Sequence, residues 1–305
     1  MILTVTLNAA LDVTYRVPTL APGTEHRVEP GGTRAGGKGV NVARVLHALG
    51  HDTLVTGFAG GDTGRAIRAE LDTAGIREAL VDVDAPARRT VTIVSTEDGV
   101  ATAFNEPGPR VSVEDWTRFV ATYHSLATRA AVVVLAGSLP PGLPDHAYAQ
   151  LIGATATPAI LDTAGRPLVA GLAAHPRVVK PNAGELAAAT GIDDPPAAAR
   201  WLRERGAGAV VASLGPAGLL AVTGDGTWRV PCPEPVHGNP TGAGDACVAA
   251  LAIGLAAGTP WPERLADAVA LSAAAVAGPL AGDVDLDTYR RLAPRVEVLD
   301  AHADR

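Results

Sequence analysis

From residue 111 onward, short apolar runs alternate with longer helical patterns, and each apolar run ends in a polar or glycine-rich cluster. Residues 131–136 end at Gly137-Ser138-Leu139-Pro140-Pro141-Gly142, and residues 159–161 end at Asp162. Residues 178–179 run into Lys180-Pro181-Asn182-Ala183-Gly184-Glu185, and residues 209–212 into Ser213-Leu214-Gly215. Helical patterns cover 112–128, 144–153, 195–205 and 263–277; the first has Ser112 as N-cap and Asp115 at its third position. Apolar strands joined by helices build a parallel sheet covered on both faces, with ligands outside the carboxyl ends of its strands. The expected fold is α/β: a doubly wound, mainly parallel sheet with helices on both faces, residues 1–305 forming a single domain.

The first hundred residues fit that scheme less evenly. Residues 2–7 alternate as a strand and end in the polar cluster Asn8-Ala9-Ala10-Leu11-Asp12. Strand-like pieces at 13–17 and 25–29 are broken by Pro18, Pro22, Gly23 and Pro30. A strand at 53–58, a turn at 60–64 and a helix at 65–74 follow. Strands at 79–83, 88–95 and 100–104 come next, the last two joined by the hairpin turn Glu97-Asp98-Gly99. Segments from about 12–34 and 87–106 do not fit inside a parallel sheet and are expected to form a small, discontinuous β-sheet lid over its carboxyl edge.

Composition narrows the partners. A net charge of −7 gives no global basic field for nucleic acid or an acidic membrane, so an anionic ligand must be held by local groups. The two cysteines form neither a metal-type spacing nor a disulfide framework. Asp12 interrupts a weakly apolar start that no basic segment precedes, and no apolar run reaches the roughly 20 residues of a membrane span. A soluble, cytoplasmic protein is expected. Of 25 cationic side chains only two are lysines, Lys38 and Lys180, both in loop-like contexts. Where arginine is the default cation, an isolated lysine marks a position suited to a compact ammonium.

Two glycine-rich stretches carry the chemistry. Gly32 to Lys38 nearly spells a Walker A loop, but Gly39 replaces the hydroxyl residue and no buried strand precedes it. The Gly36-Gly37-Lys38-Gly39 turn still lets backbone approach a ligand and sets an ammonium at a helix start, with Asn41 one turn on. The second stretch is His237-Gly238-Asn239-Pro240-Thr241-Gly242-Ala243-Gly244-Asp245-Ala246-Cys247, followed by an uncharged helix to Ala257. Its small residues leave helix-start N–H groups free to meet an anion. Asp245 would repel that anion unless it had chemical work to do.

The combination of Gly36-Gly37-Lys38-Gly39-x-Asn41, Gly137 to Gly142, Lys180-Pro181-Asn182-x-x-Glu185, Ser213-Leu214-Gly215 and Gly242-Ala243-Gly244-Asp245 resembles the ribokinase-like PfkB family of sugar kinases. The opening Thr6-Leu7-Asn8-x-Ala10-x-Asp12 and the segment Asn105-Glu106-Pro107-Gly108-Pro109 are similar to its branch of 1-phosphofructokinases and tagatose-6-phosphate kinases. The resemblance implies an enzyme using ATP and Mg²⁺, with Asp245 as general base and Gly242, Ala243 and Gly244 as the anion hole. It implies sugar contacts from Asp12, Gly37, Lys38, Asn41, Asn105 and Ser138, with Lys38 and Arg88 on the sugar's existing phosphate. It also implies nucleotide contacts from Lys180, Asn182, Ser213, Gly215 and Gly218, Mg²⁺ organised by Asn182 and Glu185, and a homodimer formed through the lid. The expected reaction is fructose 1-phosphate to fructose 1,6-bisphosphate. Tagatose 6-phosphate, fructose 6-phosphate, another sugar or a nucleoside, and a non-catalytic sensor, are the alternatives. One departure bears on the substrate. The branch often carries Arg-x-Asn-Val-Lys in the lid, and this chain reads Arg88-Arg89-Thr90-Val91-Thr92, so the phosphate pocket is one cation short. Arg34 and Arg89 are the two candidates to replace it.

Overall fold

A computed structural model describes residues 1–28 and 31–301. Strand β1 (Ile2–Thr6) leads into β2 (Ala10–Val17), and β3 (Thr33–Gly36) meets helix α1 (Lys38–Ala48). Then come β4 (Thr53–Gly60), α2 (Gly61–Thr73) and three strands, β5 (Glu78–Val83), β6 (Arg88–Ser95) and β7 (Ala101–Asn105). Alternation begins with α3 (Val113–Ala127), β8 (Val132–Ala136), α4 (Ala147–Gly153), β9 (Ala159–Asp162) and α5 (Gly165–Gly171). It continues through β10 (Val178–Val179), α6 (Ala183–Thr190), α7 (Pro195–Glu204) and β11 (Val210–Ser213). A hairpin, β12 (Leu219–Val222) and β13 (Thr227–Val230), precedes α8 (Ala243–Ala257), α9 (Trp261–Ala277), α10 (Leu286–Leu292) and β14 (Leu299–Asp300).

Ten strands form one sheet in the order β14-β13-β12-β11-β10-β9-β8-β1-β4-β5. Every pairing from β11 across to β5 is parallel, and β12 to β14 extend one edge antiparallel. The chain starts in the middle: β4 lies on one side of β1 and β8 on the other, so the strand order reverses there. A crevice opens at the carboxyl ends of strands at such a reversal. β1 and β8 are buried along their whole length, as strands covered on both faces must be. Phe119, Tyr123, Tyr148 and Leu151 pack one face of the sheet, while the alanine-rich α8 and α9 pack the other closely. Among the described residues, no helix is long and apolar enough to cross a membrane.

The lid is a second sheet, in the order β3-β2-β6-β7. Leu11 and Ala35 anchor it by packing on Val40, Ile67 and Leu71 of α1 and α2. The strand before the glycine-rich loop, β3, is a half-exposed lid strand and not a buried one, in keeping with the sequence reading. Three expectations are corrected. Residues 25–28 form no strand, because no neighbour offers them a ladder; Glu29, the rest of the expected piece, lies outside the described residues. Residues 60–64 are not a turn: Gly61, at φ +61°, swings the chain directly into α2, and Thr63 Oγ1 donates to the carbonyl of Ala87 at 2.6 Å. The short elements α5, α10 and β14 were not expected at all. Ser112 caps α3 as read, and Asp115 completes a capping box with it.

Candidate active site

Asp245 occupies the first turn of α8, which packs against α1, and its carboxylate is buried. Asn41, one turn into α1, donates from Nδ2 to Asp245 Oδ2 at 2.8 Å. Burial, and next the charge of Asp162, raise the Asp245 pKa to about 7 against the pull of Asn41, Lys38 and Lys180. A carboxylate with that pKa accepts a proton from a hydroxyl near neutral pH and releases it readily.

Asp162 is the residue the sequence reading passed over. It ends β9, is fully buried, and takes both lysines of the chain on one oxygen: Lys38 Nζ at 3.0 Å and Lys180 Nζ at 3.6 Å from Oδ1. Its Oδ2 is buried without a hydrogen-bond partner. Lys38 opens α1 and also faces Glu185 Oε1 at 3.6 Å; burial opposes its charge, but the surrounding carboxylates win and raise its pKa. Lys180 lies over the start of α8, where a Cβ on Gly244 would come within 3.3 Å of its ammonium. The lysine singled out for the sugar's phosphate therefore pairs with Asp162 and Glu185, on the Asp245 side of the cleft.

The glycines have separable duties. Gly242, at φ +91°, turns the chain into α8 so closely against Ala281 and Gly282 that a Cβ would be 3.0 Å from both backbones. Ala243 N–H already donates to the Pro240 carbonyl at 3.2 Å. Gly37 and Gly39 seat α1 on β1: a Cβ on Gly37 would stand 2.7 Å from Thr6 Cγ2, and one on Gly39 2.2 Å from Thr6 Oγ1. On the expected nucleotide side, Ser213 bridges to Asn182, linking β11 to the start of α6. Gly215 has open space around it, whereas Gly218 is pinned against the Val230 carbonyl.

Asn182 and Glu185 cap α6 reciprocally: Asn182 Oδ1 accepts from Glu185 N–H at 2.8 Å, and Glu185 Oε2 from Asn182 N–H at 2.9 Å. Mg²⁺ takes hard oxygens and commonly only one or two carboxylates besides phosphate. Glu185 Oε1, outside the cap, and the unpartnered Oδ2 of Asp162 are oxygens of that kind, so the residues fit the ion. Among the described residues no group of three or more His, Cys, Asp or Glu side chains is arranged for a metal.

Across the cleft, the lid presents Asp12, whose pKa burial raises to about 6 although Arg88, a Thr90 hydrogen bond, Arg44 and Arg34 all oppose the rise. Arg88 Nε donates to the Asn8 carbonyl at 3.0 Å, and Asn8 Nδ2 donates to Ser138 Oγ at 3.1 Å. Asn8 therefore joins the lid arginine to the loop after β8, a role its place in the polar cluster after β1 hinted at but did not specify. Asn105 lies opposite Thr90 at the end of β7 and is exposed.

A cavity of about 820 Å³ lies elsewhere, at the amino edge of the sheet near Ala159, Arg177 and Gly208, and none of the expected site residues lines it. Arg264 in its wall caps the end of α8, donating to the carbonyls of Gly254 and Thr259 at 3.2 and 2.8 Å.

Known proteins resemble this chain in sequence and fold. The family model described as pfkB family carbohydrate kinase matches residues 4–288. The 1-phosphofructokinase of Escherichia coli (strain K12) is 34% identical over 303 residues, spanning 97% of both chains. A crystal structure of Escherichia coli phosphofructokinase-2 in complex with substrates and products aligns with a TM-score of 0.88 at 30% identity, over 96% of this chain and 98% of that one. Arabidopsis thaliana ribokinase, complexed with ribose and ATP, shares the fold at a TM-score of 0.75 and 23% identity, over 96% of this chain and 98% of its own. By sequence and by the ribokinase-like fold, the chain belongs to the pfkB family of carbohydrate kinases, ATP-dependent sugar kinases.

Proposed function

We propose that this kinase transfers the γ-phosphoryl group of ATP to the C6 hydroxyl of fructose 1-phosphate, giving fructose 1,6-bisphosphate and ADP. The observation that carries the reading is the buried Asp245, poised near neutrality and aimed by Asn41 beside two ammonium groups gathered on Asp162. The similarity to a 1-phosphofructokinase over nearly the whole chain supports the choice of substrate.

Asp245 accepts the hydroxyl proton as the sugar oxygen bonds to the γ-phosphorus and the bond to the β-phosphate oxygen breaks. Such transfer needs positioning and charge neutralisation more than covalent help. The N–H groups of Gly242 and Gly244 at the start of α8 meet charge on the transferring phosphoryl, and that of Ala243 joins them when it leaves the Pro240 carbonyl. Lys180 faces the nucleotide phosphates. Lys38, held by Asp162 and Glu185, supplies positive charge near Asp245. Asp12, Asn41, Asn105, Ser138 and the Gly37 backbone hold the sugar's hydroxyls, and Ser213, Gly215 and Gly218 line the nucleotide. Asn182 and Glu185, with Asp162 nearby, would hold Mg²⁺, which when bound neutralises phosphate charge. A homodimer formed through the lid completes the proposal, since open strand edges favour pairing.

A coupled ADP-release assay across fructose 1-phosphate, fructose 6-phosphate, tagatose 6-phosphate, free fructose and a nucleoside tests it. The highest kcat/KM is expected with fructose 1-phosphate. A higher value with another acceptor replaces the substrate, and no ADP release with any acceptor favours a sensor.

A further inference from the structure

We infer that Arg34 is the second cation of the sugar-phosphate subsite, supplying from β3 the charge that β6 lacks at Thr92. The inference rests on the phosphorylated substrate proposed above and goes on to say which side chain recognises its phosphate.

The strand register decides between the two arginines. Asp12 on β2 is paired with Arg34 on β3 and with Thr90 on β6, and Thr90 in turn with Asn105 on β7. Residues directly opposite one another share a face, and so do residues two apart on one strand. Arg34, Asp12, Thr90 and Asn105 therefore form one row across the lid, and Arg88 and Thr92 stand on the same face. Arg89 stands on the other. It is exposed, and its backbone N–H is engaged by the Glu106 carboxylate at 2.7 Å.

The surroundings of Arg34 suit an anion. Nη2 is held by Asp283 Oδ1 at 2.5 Å, which fixes the guanidinium, while Nη1 is buried with no acceptor. A buried donor without a partner is a cost the fold carries until an oxygen arrives. Arg44, the next guanidinium, is already used by Glu70 and by the Ala35 carbonyl. Arg34 and Arg88 both act on Asp12, so a hydroxyl-binding carboxylate is flanked by a cation on each side. Their strands lie two spacings apart, about 10 Å, a gap that two arginine side chains close onto a single phosphate group.

The competing account is that Arg34 merely ties the lid to the body through Asp283. Four proteins separate the two: wild type, Arg34→Ala, Arg34→Ala with Thr92→Lys, and Asp283→Asn, each assayed for kcat and for KM with fructose 1-phosphate and with ATP. Arg34→Ala should raise the sugar-phosphate KM about 10–100-fold, the scale of one charge-assisted phosphate contact, and leave the ATP KM within about twofold. Thr92→Lys in that background should recover most of the loss. Asp283→Asn breaks the tie but keeps the cation, and should move the sugar-phosphate KM by less than about threefold. An unchanged KM in Arg34→Ala, a rise in Asp283→Asn equal to that of Arg34→Ala, or no recovery with Thr92→Lys overturns the inference. If Arg34→Ala melts, Arg34→Gln keeps the stem and is read in the same way. A wild type that phosphorylates only unphosphorylated sugars removes the functional reading itself. A wild type active on fructose 1-phosphate beside an indifferent Arg34→Ala removes only this inference.

Discussion

The carboxyl edge of the large sheet and the underside of the lid face the same cleft, but they are built differently. On the sheet side, Asp245, Asp162 and Lys180 are buried and, apart from Asp162 Oδ2, already paired, so most of their geometry is set before any substrate arrives. On the lid side, Arg34, Asp12, Arg88 and Thr90 are half-exposed, spread along a four-stranded sheet, and leave a guanidinium nitrogen without an acceptor. A preorganised, dry cluster suits bond making, where oriented charge acts without reorganisation. A wetter row of cations and hydroxyls suits recognition, where the ligand completes the hydrogen bonds. Changes on the sheet side should therefore appear in kcat, and changes in the lid in KM or assembly.

The sharpest break of that division is Asp245→Asn. It should lower kcat about 10²–10⁴-fold while both substrates still bind, as expected for loss of a general base. In the wild type kcat/KM should fall as pH drops through about 7, because the base is then protonated. Near-normal turnover in the variant would end the assignment. Asp162→Asn comes next. Releasing both lysines from one buried carboxylate should lower kcat about 10²-fold, the scale of losing one oriented group in a dry site. It should also move the acidic limb of the profile to lower pH, since the Asp162 charge helps hold the Asp245 pKa up. An unshifted limb with normal kcat would reduce Asp162 to packing.

On the lid, Phe104 is 55% exposed on the edge strand β7 and points to the face opposite Asn105. An exposed aromatic on an open edge invites a partner. Phe104→Glu should shift the protein from dimer to monomer in light scattering, with kcat at saturating substrates little changed. A wild type already monomeric, or a variant that stays dimeric, would take this edge out of the interface.

The sequence made the sheet side more legible than the lid. Strand ends, the helix start at Gly242 and the cap at Asn182 and Glu185 are local patterns, and local patterns survive in a single sequence. Asp162 was in view as the last residue of an apolar strand. A terminal aspartate is as often a turn former, and only folding brings Lys38, 124 residues away, onto its oxygen. The pair of Arg34 and Asp283 joins positions 249 residues apart, beyond any spacing rule. Residues 25–28 looked like a strand by composition, but a strand needs a neighbour, and sequence does not supply one. The short α5 and α10 carry too few turns for their apolar periodicity to stand out.

The smallest expected effect concerns stability rather than rate. A buried carboxylate whose pKa rises from 3.8 to about 7 on folding takes up a proton as the chain folds anywhere between those values. The contribution to stability is full below the unfolded pKa and is lost as pH rises through about 7, so the ionised wild type folds with a charge it would be more stable without. Asp245→Asn keeps the partner of Asn41 and carries no charge. Its melting temperature should therefore exceed that of the wild type above pH 7 by about 5 °C, from a linkage of a few kcal/mol in a chain of this length. The gap should close as pH falls from about 7 to about 4, where both proteins are neutral at this position. On the lid, Asp12 rises only to about 6, and Asp12→Asn should open a smaller gap at lower pH. Equal gaps at the two positions would mean that the sheet side holds its charge at no greater cost than the lid, and would remove the contrast between a preorganised cluster and a recognition surface.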